Sequence, residues 1–234
     1  MDEVAVPLGE RLASVRENVA AAARRAGRHP DDITTIVVTK FHPASLIEEL
    51  YSFGVRDVGE SRHQEARVKA DELRSLDGLR WHFVGQLQSN KARQVRAYAQ
   101  VIHSLDRESV IDALADGLAG QAGHGERMID CFLQVNLTDD PGRGGAPIGA
   151  VVPLAERIAH APGLRLLGVM GVAPLGEEPR AAFARLRGAS ERVRTVAPDA
   201  SAISAGMTGD YAEAILEGAT HLRIGTAITG TRPR

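Results

Sequence analysis

Segments typical of β-strands and of amphipathic helices alternate eight times along this chain of 234 residues. The clearest strand is residues 33–38, where six β-branched residues follow one another, as in a strand buried on both faces. Strands that alternate with helices over short connections form parallel βαβ units. The alternation therefore restricts the chain to an α/β fold with a parallel sheet.

Eight such units in this length fit a closed (β/α)8 TIM barrel, which takes about 250 residues. The predicted strands cover residues 33–38, 55–60, 80–85, 100–104, 127–137, 164–169, 201–203 and 220–224. An open doubly wound sheet is the alternative. We predict one barrel domain over residues 1–234, with an extra helix before the first strand and a reduced or absent eighth helix. The leading helix is then expected to cover the place of the missing one.

Composition excludes several classes of partner. The net charge of −2 gives no general attraction for nucleic acid or anionic lipid. The acidic start, MDEVAVPLGERL, has no long apolar run, so we expect no leader and no membrane span. The single cysteine, Cys131, cannot form an internal disulfide and is expected to be a core residue. A cytoplasmic location follows as the expectation.

Polar side chains are concentrated at the ends of the predicted strands, where a (β/α)8 barrel has its active site. Lys40 follows the first strand and Arg223 lies at the end of the eighth. Between them come several further candidates, Glu60, Ser61, His82, His103, Asn136, Ser204 and Met207. No spacing of histidine, cysteine and carboxylate residues is typical of a metal site, so no metal is expected.

Two glycine-containing segments, ISAGMTGD after the seventh strand and RIGTAITG at the eighth, favour a phosphate site. The loops after these two strands often bind phosphate in such barrels through backbone N–H groups. Gly206 and Gly225 allow a close approach, and Thr208 and Thr226 supply hydroxyl groups, as does Ser204. The alternative interpretation is that the glycines only turn the chain and that Thr208 caps a helix.

Lys40 has two possible roles on this view. In a structural role, a lysine at the end of a buried strand extends to water or pairs with an acid such as Glu60. In a chemical role, its amine attacks an aldehyde. A phosphate site with one such lysine and no metal suggests pyridoxal phosphate (PLP) or a Schiff-base aldolase without a cofactor. The residues alone leave these possibilities open.

Several motifs together then indicate a known family. They are VVTKFHP (37–43), VGESRHQEA (58–66), WHFVGQLQSNK (81–91), QVNL (134–137), GVMGV (168–172) and ISAGMTGDYAEAILEGATHLRIGTAITG (203–230). They lie in order over nearly the whole chain. The sequence resembles the PLP homeostasis proteins, the YggS/PROSC family, also described as alanine racemase N-terminal-domain-like proteins.

The resemblance implies a (β/α)8 barrel that carries PLP as a Schiff base on Lys40. It implies that Arg223 faces the pyridine nitrogen. It implies that the phosphate is held by Ser204, the backbone near Met207 and Thr208, Gly225 and Thr226. His82 is a further candidate for contact with the cofactor ring.

The chain departs from the family pattern at a few positions. Ser61 stands where the family usually has asparagine, so it is a candidate both for cofactor contact and for capping the next helix. Gln86 replaces a common histidine, Ala205 replaces a frequent methionine, and Arg143 is the nearest cation where a loop lysine is common.

Three functions remain compatible with these residues. The first is a PLP-binding protein that serves vitamin B6 and amino-acid homeostasis without strong turnover, with apo PLP-dependent enzymes as possible partners and a monomeric state. The second is a slow racemase or related fold-type III enzyme. It is disfavoured because an arginine at the pyridine nitrogen weakens the electron sink. The second catalytic tyrosine, which alanine racemase draws from an additional domain, is not expected here either. The aldolase is the third.

Overall fold

The computed structural model describes residues 6–116, 127–140 and 142–231. Eight parallel strands follow one another around a closed barrel in the order of the chain, and β1 pairs with β8 to close it. The strands are β1 (Thr34–Val38), β2 (Asp57–Glu60), β3 (Arg80–Phe83), β4 (Val101–Leu105), β5 (Ile129–Gln134), β6 (Leu164–Met170), β7 (Ala202–Ser204) and β8 (His221–Ile224). The predicted TIM barrel is confirmed, and the open sheet is excluded.

Helices connect the strands on the outside of the barrel. They are α1 (Leu8–Arg25), α2 (Ala44–Ser52), α3 (His63–Glu72), α4 (Ala92–Arg96), α5 (Glu108–Ala115), α6 (Val151–His160), α7 (Pro179–Val193), α8 (Tyr211–Leu216) and α9 (Thr226–Thr229). Their apolar stripes pack on the outward-facing strand residues in one large cluster that includes Val37, Val58 and Leu222. The main hydrophobic core is therefore the layer between barrel and helices.

The helix after β8 is reduced to the four residues of α9, as predicted. The leading helix α1 contacts both α8 and α9 and so covers this side of the barrel. Arg11 fastens the contact, because its Nε donates to the carbonyl oxygen of Ile228 at 2.7 Å. The expectation that the first helix takes the place of the eighth is confirmed.

The interior of the barrel is more polar than the apolar layers usual in this fold. A small apolar cluster of Val101, Phe132 and Met170 is separate from the outer core. His103 stacks on the Phe132 ring with 4.6 Å between centroids, and His221 meets its edge at 5.1 Å. Imidazole rings thus occupy space that aliphatic side chains fill elsewhere.

Two further expectations concern the whole molecule. Cys131 is fully buried on β5, and burial raises the pKa of its thiol, so it is a core residue and not a nucleophile. In the described part of the chain, no helix has the length and apolar character needed to cross a membrane.

Candidate functional site

Lys40 lies in the turn that follows β1, at the open end of the barrel, with its side chain exposed. Its Nζ is 5.9 Å from the centroid of the Phe41 ring. The structure gives this amine no hydrogen bond or ion pair within residues 6–116, 127–140 and 142–231. Phe41 follows with a φ of 69°, a conformation that non-glycine residues adopt rarely and that is common at functional sites.

A buried charged cluster behind this turn holds it in place. The Nζ of Lys69, on α3, donates to the carbonyl oxygen of Thr39 at 3.0 Å and to Oε1 of Glu60 at 2.7 Å. It also donates to Oε1 of Glu65 at 2.6 Å, and this oxygen accepts from the N–H of Phe41 at 2.5 Å. The Thr39 hydroxyl donates to Glu60 at 2.7 Å. Lys69 and Glu65 thus bond to the residues on both sides of Lys40.

One interpretation of the sequence was that Lys40 pairs with Glu60. The structure shows no such pair. The Glu60 side chain points outward from β2 towards α3, and Lys69 is its partner. Burial raises the pKa of Glu60, although the bonds from Lys69 and Thr39 act in the opposite direction. Among the residues that the structure describes, the exposed Lys40 is left with a free amine, as is Lys91 in the connection after β3.

Arg223 lies inside the barrel and is almost completely buried. Its Nη1 donates to Oγ of Ser204 at 2.6 Å and its Nη2 to the carbonyl oxygen of Gly171 at 2.9 Å. Burial lowers the pKa of Arg223 to about 10, partly offset by the charge of Asp210, so the guanidinium stays cationic at neutral pH. A buried cation is thus present within the barrel below the Lys40 turn.

A continuous series of hydrogen bonds connects Arg223 with Asp57 at the start of β2. Ser204 Oγ lies 2.9 Å from Nδ1 of His103, and Nε2 of His103 lies 3.0 Å from Nδ1 of His82. The Nε2 of His82 lies 2.8 Å from Oδ1 of Asp57. His103 and Ser204 belong to β4 and β7, which are not neighbours, so the bonds cross the barrel interior.

The structure assigns His82 and Ser204 to the barrel interior. The His82 side chain is fully buried, and both of its ring nitrogens have internal partners. Both nitrogens are thus used within the protein, and contact of the ring with a cofactor stays a prediction. The hydroxyl of Ser204 is likewise engaged with His103 and Arg223 and is not free for a phosphate group.

The segment after β7 has the sharp turn that the sequence suggested. Gly206 has a φ of 90°, and a Cβ there would come within 2.8 Å of the Ala214 Cβ, so only glycine fits. Thr208 is exposed and precedes α8, which begins at Tyr211, so it does not cap that helix. The N–H of Met207 donates to Oδ1 of Asp210 at 2.6 Å. That N–H is already directed at an anionic oxygen.

Gly225 and Thr226 complete the open end on the β8 side. A Cβ on Gly225 would lie 3.5 Å from Val38, two residues before Lys40. Thr226 is the first residue of α9 and is exposed. Gly225 therefore lies beside the end of β1, and the Thr226 hydroxyl follows it directly in the chain.

Ser61 lies in the connection from β2 to α3 and is half-buried. The helix α3 begins at His63, with Arg62 as its N-cap and no side-chain capping bond, so the predicted capping role of Ser61 is wrong. Its carbonyl oxygen would be 2.2 Å from a Cβ on Gly85. The loops after β2 and β3 therefore pack tightly against each other at the open end, and position 85 has no room for a side chain.

Asp57 and Lys69 are bonded to site residues, but neither is among the candidates that the sequence suggested. Asp57 stands at the start of a strand, away from the strand ends where active sites of this fold lie. Lys69 lies within a helix, three residues after Ala66 on its buried side, where a charge is unusual. That buried helical position was the one signal available for Lys69.

A family model described as alanine racemase, N-terminal domain, matches residues 11–233 of this chain. The chain belongs to this family. The family assignment made from the motifs is thereby confirmed.

Members of the family with curated names are similar over almost their full length. The pyridoxal phosphate homeostasis protein of Corynebacterium glutamicum is 40% identical over 222 residues, which cover 94% of this chain and 99% of that protein. The protein of the same name from Escherichia coli strain K12 is 36% identical over 230 residues, covering 96% and 97% of the two chains.

A solved structure of a family member agrees with the fold described above. PipY of Synechococcus elongatus, determined with PLP bound, is 34% identical and superposes with a TM-score of 0.82. The match covers 96% of this chain and all of that chain. PipY has also been determined without PLP.

Proposed function

We propose that this protein binds PLP at the open end of its barrel and serves PLP homeostasis. The observation that carries the proposal is Lys40, an exposed amine without an ionic partner among the described residues, on a turn held by a buried cluster. Family members of similar length are named pyridoxal phosphate homeostasis proteins, and PipY binds PLP. The residues present fit the cofactor, which needs an amine for its aldehyde and donors for its phosphate.

Each group at the open end has a definite task in this proposal. Lys40 forms a Schiff base with the aldehyde of PLP, a carbon–nitrogen double bond whose formation releases one water molecule. Thr208, Gly225 and Thr226 hold the phosphate, together with the backbone near Met207. Arg223 donates towards the pyridine nitrogen. PLP supplies an electron-withdrawing ring, which an arginine at that nitrogen leaves weaker than a carboxylate partner would.

Ser204 and His82 support the site from inside, and Ser61 contributes through the shape of the loop it occupies. For the N–H of Met207 to bind a phosphate oxygen, the Asp210 carboxylate has to release it. PLP and Asp210 therefore compete for one donor, which lowers the affinity for the phosphate and favours its release. Reversible retention is what a protein that stores and releases a reactive aldehyde requires.

We further propose that residues 1–234 act as a single domain, that the protein is a monomer, and that it works in the cytoplasm. Two observations support the first two points: the barrel is closed, and α1 covers the side where only the short helix α9 follows β8. The buried, unpaired Cys131 supports the third. Apo forms of PLP-dependent enzymes are the proposed recipients of the cofactor.

Covalent capture tests the proposal directly. The chain contains three lysines, Lys40, Lys69 and Lys91. PLP-loaded protein is reduced with borohydride, digested and analysed by mass spectrometry, and the pyridoxyl group is expected on Lys40 alone. Lys40→Ala should abolish both the label and the visible absorbance, whereas Lys91→Ala is the matched control and should keep both. A label on Lys69 or Lys91, or a wild-type protein that takes up no PLP, contradicts the proposal.

The alternative function is a slow racemase or related fold-type III enzyme with Lys40 as its base. The family model, which describes the racemase N-terminal domain, is the observation that favours it. Incubation of the loaded protein with alanine in heavy water separates the two functions. The homeostasis role predicts no deuterium at Cα on the scale of repeated turnover, and its appearance would establish the enzyme.

A further inference from the structure

The hydrogen bonds from Arg223 to Asp57 begin at a group that can only donate and end at a group that only accepts. A guanidinium has no acceptor atom, and an ionised carboxylate has no proton to give. Burial alone would raise the pKa of Asp57, but the hydrogen bond with His82 and the nearby positive charge of Arg80 lower it instead. Asp57 is therefore ionised at neutral pH, and the direction of every bond between the two ends can be deduced.

Arg223 donates at one end and ionised Asp57 accepts at the other, and two neutral rings between them leave one consistent set of directions. Because Nη1 of Arg223 donates to Ser204 Oγ, the hydroxyl accepts there, and Nδ1 of His103 is the acceptor within reach of its single proton. A neutral His103 then carries its proton on Nε2 and donates to Nδ1 of His82. His82 in turn carries its proton on Nε2 and donates to Asp57.

Neutral rings are what this environment favours. Burial lowers the pKa of His82, against the opposing effect of Asp57, and it lowers the pKa of His103 much further. The positive charges of Arg223 and Arg80 act in the same direction. If His82 were doubly protonated instead, the bond between the two rings would reverse, and His103 would donate from Nδ1 to Ser204.

We propose that Asp57, His82 and His103 form a one-way hydrogen-bond chain that orients the Ser204 hydroxyl and thereby positions Arg223 for the ring nitrogen of the cofactor. The three are positioning residues, since none of them reaches the open end of the barrel. Bonds that all point the same way polarise one another, so a change at Asp57 weakens the bonds further along. The part that concerns the cofactor rests on the proposed function, whereas the direction of the bonds does not.

The first experiment needs no cofactor. Protein labelled with ¹⁵N in histidine is studied by long-range ¹H–¹⁵N spectroscopy, with His82→Gln and His103→Gln to assign the signals. Both rings are expected to be neutral and protonated at Nε2 at neutral pH. A proton on Nδ1 of either ring, or a doubly protonated ring, overturns the assignment.

The second experiment asks whether Asp57 acts at a distance. In Asp57→Asn the amide oxygen still accepts from His82 but lacks the charge, so the Nε2 proton of His103 should move upfield although Asp57 does not touch that ring. Asp57→Ala should weaken PLP binding about five- to tenfold, and Asp57→Asn should recover most of this loss. An unchanged His103 signal in Asp57→Asn contradicts the chain even if Asp57→Ala fails to fold.

Asp130→Ala is the matched control. Asp130, on β5, makes no hydrogen bond to the rings within the described residues, and its hydrogen bonds are with Arg165 at 2.6 and 2.9 Å. It shares with Asp57 an ion pair to Arg80, which lies 3.7 Å from Asp130, so this variant removes a neighbouring charge without removing a member of the chain. Its loss should leave PLP affinity within about twofold of wild type. Equal losses in Asp57→Ala and Asp130→Ala would overturn the positioning role. A wild-type protein that binds no PLP would refute the proposed function while the ring tautomers still decide the direction of the chain.

Discussion

The strand β2 has an acid at each end, half-buried Asp57 and buried Glu60, and the two acids face opposite sides of the barrel wall. Asp57 faces the interior and accepts from His82 at 2.8 Å, whereas Glu60 faces α3 and accepts from Lys69 and Thr39, both at 2.7 Å. The Asp57 side chain retains 20% exposure, and that of Glu60 retains 1%. One strand therefore supplies both the last acceptor of the hydrogen-bond chain inside the barrel and the centre of an outer cluster, which consists of Glu60, Glu65, Lys69 and Thr39.

The difference shows how burial competes with hydrogen bonding at two sites only three residues apart. Burial acts to raise the pKa of both acids. At Asp57 the bond with His82 and the nearby positive charge outweigh burial, so its pKa is lowered. At Glu60 burial outweighs the charge of Lys69, which is also paired with Glu65, so the pKa of Glu60 is raised. Within the described residues, Oε2 of Glu60 has no hydrogen-bond partner. The outer cluster is thus the costlier arrangement, and it holds the turn of Lys40.

The largest effect is expected from removing the cation of the outer cluster. Lys69→Met leaves Glu60 and Glu65 without their shared partner in a buried position and should reduce the free energy of unfolding by about 3–5 kcal/mol. Urea denaturation measures it, with Lys91→Met as the control. A loss below about 1 kcal/mol would mean that the cluster is accessible to water.

Thr39→Val is expected to have the second largest effect. It keeps the shape of the side chain but removes the hydroxyl that donates to Glu60, a bond to a charged group worth about 1.5–3 kcal/mol. Thr35→Val is the matched control on the same strand, because within the described residues the Thr35 hydroxyl makes no hydrogen bond. Equal stability of the two variants would show that Glu60 does not depend on Thr39.

The two acids of β2 should give opposite pH dependences. The folded-state pKa of Asp57 lies below the unperturbed 3.8, so its contribution to stability is present above that pH and is lost as the pH falls through the folded-state value. The folded-state pKa of Glu60 lies above 4.5, so its contribution is present below that pH and is lost as the pH rises.

Unfolding free energies measured over a pH series test this pair of signs. The advantage of wild type over Asp57→Asn should shrink as the pH falls below 3.8. Glu60→Gln should gain on wild type as the pH rises above 4.5. Parallel curves for the two variants would show that both acids experience the same balance of burial and hydrogen bonding.

The smallest effect on stability is expected at Lys40. Its amine is exposed and makes no bond among the described residues, so Lys40→Met should change the free energy of unfolding of the cofactor-free protein by less than about 0.5 kcal/mol. Thermal denaturation of cofactor-free protein measures this. A large loss would assign Lys40 a structural role like that of Lys69.

Prediction from the sequence succeeded where a property is local. The alternation of strand and helix patterns predicted the barrel, and the β-branched run predicted β1 and so the position of Lys40 after it. At Gly206 the turn that the structure shows was the alternative to a phosphate site. The sequence left open whether Lys40 pairs with Glu60 and whether His82 faces the site or the core, because short strands such as β2 (DVGE) and β3 (RWHF) do not show by their pattern which face is inner and which is outer.

By itself the sequence determined the barrel architecture, the family and the lysine that ends the first strand, because these follow from periodicity and from short contiguous motifs. Only the tertiary structure decided that Lys69 is bonded whereas Lys40 is free, and that Asp57 and not Glu60 faces the interior. The bond between His103 and Ser204 joins residues 101 positions apart. Such a contact depends on the register in which eight strands close, and that register is a property of the whole barrel.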